Sequence, residues 1–116
     1  MNYKERQISA IQRSGSTLCI GLDPDVERIP SLFKSADGDM ISACARFCEA
    51  VIEHTNEYAA AYKPNMAFFE ALGDEGWKLY ENICNLVPEG KLLITDAKRG
   101  DIGNTSAHYA KAFWKD

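Results

Sequence analysis

Three short, largely apolar runs, at residues 17–22, 59–63 and 91–96, are separated by stretches whose apolar residues recur at helical spacing. Strands that alternate with helices in this way form a parallel sheet, because each helix carries the chain back across the sheet before the next strand begins. Thr17-Leu18-Cys19-Ile20-Gly21-Leu22 is apolar throughout, the pattern of a strand covered on both faces. In Ala59-Ala60-Ala61-Tyr62-Lys63 the alanines favour helix, but the tyrosines and the following Pro64 favour a strand. Pro64 also pushes Lys63 toward an extended backbone.

Before the first run the periodicity predicts a polar helix over 3–13 with Ile8 and Ile11 as its apolar stripe, stopped by Ser14-Gly15-Ser16. A second helix spans 39–55, capped by Asp39, with Ile41, Cys44, Phe47, Cys48, Val51 and Ile52 inward. After a short apolar turn or helix at 65–70, Gly73-Asp74 opens a helix that turns Trp77, Tyr80, Ile83, Cys84 and Val87 to the core. Pro88-Glu89-Gly90 closes that unit. A last helix begins near Asn104 or Thr105, turns Ala107, Ala110, Phe113 and Trp114 inward, and runs to the end of the chain. The pattern is three βα units and the start of a fourth.

Each run exits into charge: Asp23, then Lys63, then Asp96 with Lys98. Singly, each has an ordinary reading, Asp23 as an Asx-turn or helix cap before Pro24, Lys63 as a solvated lysine, and Asp96–Asp101 as a charged loop. Together they stand where neighbouring strands of a parallel sheet finish, the usual place for a ligand. If strand geometry continues past Thr95, Asp96 and Lys98 leave the backbone on one side, roughly 6–7 Å apart, and face one small ligand together. Gly100 then permits a turn that ordinary residues resist, which would aim Asp101 elsewhere, toward a neighbouring subunit.

Composition narrows the rest. The 116 residues suit one domain, and 17 acidic against 13 basic residues, without a long single-sign block, argue against a general nucleic-acid surface. Cys19, Cys44, Cys48 and Cys84 lie in apolar segments without metal-finger spacing and read as buried thiols of a reducing compartment. Met1–Arg6 has no apolar signal core and no run reaches membrane-spanning length, so a cytoplasmic protein with no membrane contact is expected.

Asp96-Ala97-Lys98-Arg99-Gly100-Asp101-Ile102-Gly103-Asn104-Thr105, with Gly21-Leu22-Asp23-Pro24-Asp25 and Tyr62-Lys63-Pro64-Asn65 before it in order, resembles the longer bacterial branch of the orotidine 5′-phosphate decarboxylases. The resemblance implies a (β/α)8 TIM barrel, a homodimer with active sites at the subunit boundary, and conversion of orotidine 5′-phosphate to UMP and CO2 without metal or organic cofactor. It implies that Asp96 stands against the substrate carboxylate, that Lys98 protonates the carbon CO2 leaves, and that Lys63 holds the charge network and touches the ribose. Asp23 would bind a ribose hydroxyl, Ile102 would contact substrate, and Asp101 and Thr105 would reach into the partner's site. A complete barrel takes about 250 residues, so residues 1–116 are expected to form the N-terminal part of a single barrel domain. Two other readings are a Mg-dependent sugar-phosphate decarboxylase or aldolase of the same superfamily, and an inactive fragment that serves as a complementing or interaction module.

Overall fold

In the computed structural model, which describes residues 1–114, the three apolar runs form one parallel sheet. Its strands are β1 (Cys19–Leu22), β2 (Ala61–Pro64) and β3 (Leu92–Leu93), in spatial order β1-β2-β3. Gly21 pairs with Lys63 and Leu22 with Pro64, while Ala61 pairs with Leu92. The helices are α1 (Tyr3–Ser14), α2 (Met40–Thr55), α3 (Met66–Glu70), α4 (Asp74–Leu86) and α5 (Gly103–Phe113), with a single 3-10 turn at Ser31–Phe33.

The core lies between the sheet and α2, α3 and α4, where Leu22, Cys44, Cys48, Tyr62, Met66, Phe69 and Ile83 are fully buried. Tyr62 enters this layer without stranding its phenol. Its oxygen lies 2.8 Å from Thr55 Oγ1 and 3.3 Å from the Ile52 carbonyl, which accepts its proton. The opposite face of the sheet holds a second, smaller cluster, in which α1 sets Ala10 against Ala61 and Leu92 with Ile94 alongside. Ala61 and Lys63 alternate onto that face of β2, as do Leu92, Ile94 and Asp96 along the third strand segment. The apolar positions sit at the α1 end and the charged ones at the other.

The third run is a regular strand only at Leu92–Leu93, not over 91–96. Pairing with β2 nonetheless continues, since Ile94 N donates to Tyr62 O at 2.8 Å and Asp96 N to Pro64 O at 3.0 Å. The gap falls between them because Pro64 has no N–H to offer the Ile94 carbonyl. The first run pairs from Cys19, and the second from Ala61, after a buried Ala59–Ala60 turn. Contrary to expectation β1 is not covered on both faces: Leu18, Cys19 and Gly21 are exposed, because β1 is an edge strand and α1 rests over β2 and β3. Cys19 is therefore not a buried thiol and Cys84 only half-buried, whereas burial pushes the Cys48 thiol up to about 12.

Three helical faces also differ from the periodicity. In α1 the buried residue is Ala10, with Ile8 exposed, and the helix is fixed by an Asn2–Glu5 capping box. In α4, Trp77 is exposed and Gly76 and Leu79 take inward positions with Tyr80 and Ile83. The cause is contact between α4 and α3, so close that a Cβ on Gly76 would lie 1.8 Å from the Phe69 carbonyl oxygen. Helix α5 buries no residue: Ala107 and Trp114 are exposed, and the helix stops at Phe113 where Trp114 turns extended. The expected run to the chain end extends over residues 115–116, outside the described residues. No helix among the described residues is long and apolar enough to cross a membrane.

The α3–α4 contact makes Gly76→Ala a severe substitution. Overpacking of this kind typically costs 1–3 kcal/mol, and with backbone as the obstacle Gly76→Ala is expected to cost about 3 kcal/mol, read as a lower urea midpoint with an unchanged slope.

Candidate active site

Asp96 is placed by backbone. Its N–H donates to Pro64 O and its carbonyl accepts from Met66 N, both at 3.0 Å, and Asn65 and Asp96 form a parallel bridge beyond the ends of β2 and β3. Its side chain, 16% exposed, lies between two amines. Lys98 Nζ donates to Oδ1 and to Oδ2 at 2.6 Å, and Lys63 Nζ lies 3.5 Å from Oδ2. The hydrogen bond from Lys98 holds the Asp96 carboxyl below the usual carboxylate range; partial burial opposes this and Lys63 adds to it. Lys63 is 38% and Lys98 78% exposed, so both amines meet the carboxylate at the surface.

The strand geometry that would carry Asp96 and Lys98 to one side does not extend to Lys98. Lys98 has φ 43°, the one non-glycine residue with positive φ among those described. For an L-residue that backbone costs roughly 1–2 kcal/mol. The left-handed backbone that Gly100 would permit falls at Lys98 instead, and the Lys98 ammonium lies at hydrogen-bond distance from Asp96.

Asp23 joins the group through Asn65. Asn65 Nδ2 donates to Asp23 Oδ2 at 3.4 Å, Asn65 N donates to Leu22 O at 3.1 Å, and Asn65 Oδ1 caps α3 by accepting from Ala67 N at 3.2 Å. The Asx role open to Asp23 is taken by Asp25, whose Oδ1 accepts from Glu27 N at 3.0 Å. Gly21 leaves Asp23 room, since a Cβ there would stand 3.2 Å from Oδ1. A pocket of about 230 Å3, lined by Asp23, Asp25, Arg28, Ile29, Phe47 and Phe68, opens beside it. A larger cleft of about 1060 Å3 runs along the third strand between α4 and α5, but it reaches the charged group only through Lys98, and its lining mixes aromatic residues such as Trp77, Tyr109 and Phe113 with polar ones.

Lys63, Asp96 and Lys98 thus converge, with Asp23 linked through Asn65. Asp101, Ile102 and Thr105 do not: Asp101 Oδ1 accepts from Ile102 N at 2.8 Å, Ile102 is 85% exposed, and Thr105 lies exposed in the first turn of α5. Sequence reading missed Asn65, although its place after Pro64 and before an apolar turn marks it as a helix cap. It also missed the Glu70–Arg99 ion pair, for which no local spacing gives a signal. Among the described residues no group of three or more His, Cys, Asp and Glu is placed to hold a metal ion.

Parallel strands in sequential order, each followed by a helix, are the arrangement of the α/β-barrel class, and here the acid and amines gather at the C-terminal edge of the sheet. Residues 16–116 match the model of the orotidine 5′-phosphate decarboxylase / HUMPS family, and the chain belongs to that family. It is 43% identical over 116 residues to the orotidine 5′-phosphate decarboxylase of Bacteroides fragilis strain YCH46, covering 97% of this chain and 41% of the relative. With that of Christiangramia forsetii it is 49% identical over 109 residues, covering 91% of this chain and 39% of the relative. The solved OMP decarboxylase of Leishmania donovani superposes with a TM-score of 0.76 at 39% identity, covering 97% of this chain and 39% of that one. The chain therefore has the fold of the first three βα units of a (β/α)8 barrel and spans about two fifths of the length of the curated relatives it matches.

Because the Asp96 pKa is depressed in the folded chain, the unfolded chain binds more protons as the carboxyl titrates, and stability rises with pH there. The contribution is fully present above the ordinary Asp value of about 3.9 and is lost as pH falls through the lower folded value. Urea midpoints measured from pH 7 down to pH 2 should fall less steeply at the acid end in Asp96→Asn than in the wild type.

Proposed function

We propose that this chain is the N-terminal part of a single TIM-barrel domain, residues 1–116, of an orotidine 5′-phosphate decarboxylase that forms UMP and CO2 in pyrimidine biosynthesis. The observation that carries the reading is the Lys63–Asp96–Lys98 cluster at the strand ends of a chain from this family. With orotidine 5′-phosphate bound, the Asp96 carboxylate stands against the scissile carboxylate, and like charge raises the energy of the bound substrate. As the C–C bond breaks, its electron pair stays on the ring carbon beside the Lys98 ammonium. Lys98 stabilises that carbanion and transfers its proton to it, giving UMP and a neutral amine.

Lys63 keeps Asp96 ionised from the opposite side and reaches the ribose, and Asp23 accepts from a ribose hydroxyl. The amines supply the positive field, so the reaction calls for neither metal nor organic cofactor. The exposure of Asp101, Ile102 and Thr105 at the start of α5 supports a homodimer in which Asp101 and Thr105 complete the partner's site and Ile102 lies against substrate. Such an enzyme works on a diffusible nucleotide in the cytoplasm.

The family description also spans HUMPS proteins, which keeps the Mg-dependent sugar-phosphate reading as the runner-up. In the full-length polypeptide, Lys98→Ala should abolish UMP formation, a loss of at least about 10³-fold, with the circular dichroism spectrum unchanged. EDTA should leave the wild-type rate intact. Activity retained by Lys98→Ala removes the proton-donor role, and loss of activity on chelation favours the sugar-phosphate reading.

A further inference from the structure

Lys98 is held in a backbone conformation that ordinary residues avoid, and such conformations persist only where surrounding contacts over-determine them. On one side the constraint is the ladder at Asp96. On the other it is Arg99, whose side chain is tied from three directions. Its Nη1 donates to the Ala97 carbonyl at 2.5 Å, its Nη2 pairs with Glu70 Oε1, and its guanidinium carbon lies 5.7 Å and 5.6 Å from the ring centres of Tyr109 and Phe113. Gly100 N closes the turn by donating to Lys98 O at 3.1 Å.

Glu70 is the last residue of α3, and the N-terminal residue of that same helix, Met66, donates to the Asp96 carbonyl. One short helix therefore grips both ends of the Asp96–Arg99 turn, by backbone at its start and by an ion pair at its end. The Glu70 and Arg99 side chains are 33% and 25% exposed, so the pair is partly withdrawn from water and screened less than a surface pair.

Resting on the decarboxylase reading for its catalytic consequence, we propose that the Glu70–Arg99 pair is a latch that holds the Lys98 ammonium on Asp96. Arg99 and Glu70 are positioning residues: neither reaches the carboxylate, and both act through the turn that presents Lys98. Released from Glu70, Arg99 no longer anchors the turn, Lys98 relaxes toward ordinary φ, and its amine leaves Asp96 to Lys63 alone.

The test is made in the full-length polypeptide with Glu70→Gln, Arg99→Gln and the double variant. The latch predicts kcat lower by about 10- to 100-fold with KM within about twofold, since a misplaced group costs the chemical step and not substrate binding. It predicts a double variant no slower than the slower single one, and partial recovery in Arg99→Lys, which keeps the charge that faces Glu70. A kcat within twofold of wild type in both single variants, or losses that multiply in the double variant, overturns it.

A second readout needs no turnover. In protein labelled with 13C at aspartate carboxyls, the Asp96 midpoint should move up toward the ordinary carboxylate range in Glu70→Gln, because the Lys98 hydrogen bond that depresses it is lost. A midpoint that stays in place overturns the latch. If the wild type fails to convert orotidine 5′-phosphate while the midpoint still moves, the latch stands and the proposed activity falls.

Discussion

One carboxylate fixed to two strands' worth of backbone is the constraint from which the site follows. Asp96 has its amide committed to Pro64 of β2 and its carbonyl to Met66 at the start of α3, so its side chain is aimed by hydrogen-bonded backbone and not by a flexible loop. Two ammonium groups then gather on it, one from the neighbouring strand and one from the turn that follows. Neither could be brought so close to the other without the negative charge between them. The carboxylate organises its own surroundings, taking hydrogen bonds from both amines.

The acid and the main amine are supported in opposite ways. Asp96 sits in regular hydrogen-bonded geometry, whereas Lys98 occupies strained backbone and is largely exposed. On the proposed decarboxylase reading, the first kind of support suits a group that stands against a substrate carboxylate, and the second leaves the position of the proton donor dependent on the contacts that hold its turn. The Asn65 side chain extends the same logic sideways, capping α3 while holding Asp23 near the cluster.

Much of this was legible in the chain because it follows from short-range rules. Alternating runs gave the parallel order, and Pro64 gave an extended Lys63 at a strand exit. The same proline misled as well, because a missing N–H cannot be seen to interrupt a neighbouring strand until the register is known. Gly100 is the natural place to expect left-handed backbone, yet it falls at Lys98, against the local preference of a lysine. Trp77 read as core on periodicity alone, but the close seat of Gly76 on α3 rotates the helix away from it. Cys19 stands on an edge strand and Trp114 where α5 ends in extended backbone, so hydrophobicity overstated their burial. The Glu70–Arg99 pair joins residues 29 apart in sequence, and no periodicity encodes it.

The face of the sheet that meets α1 carries two unrelated jobs on the same strands. Near α1 it is lined by Ala10, Ala61 and Leu92, and two residues further along β2 it becomes Lys63. Position along a strand therefore sorts packing from charge: bulk added at Ala61 would press on α1, whereas a change at Lys63 would alter the company Asp96 keeps.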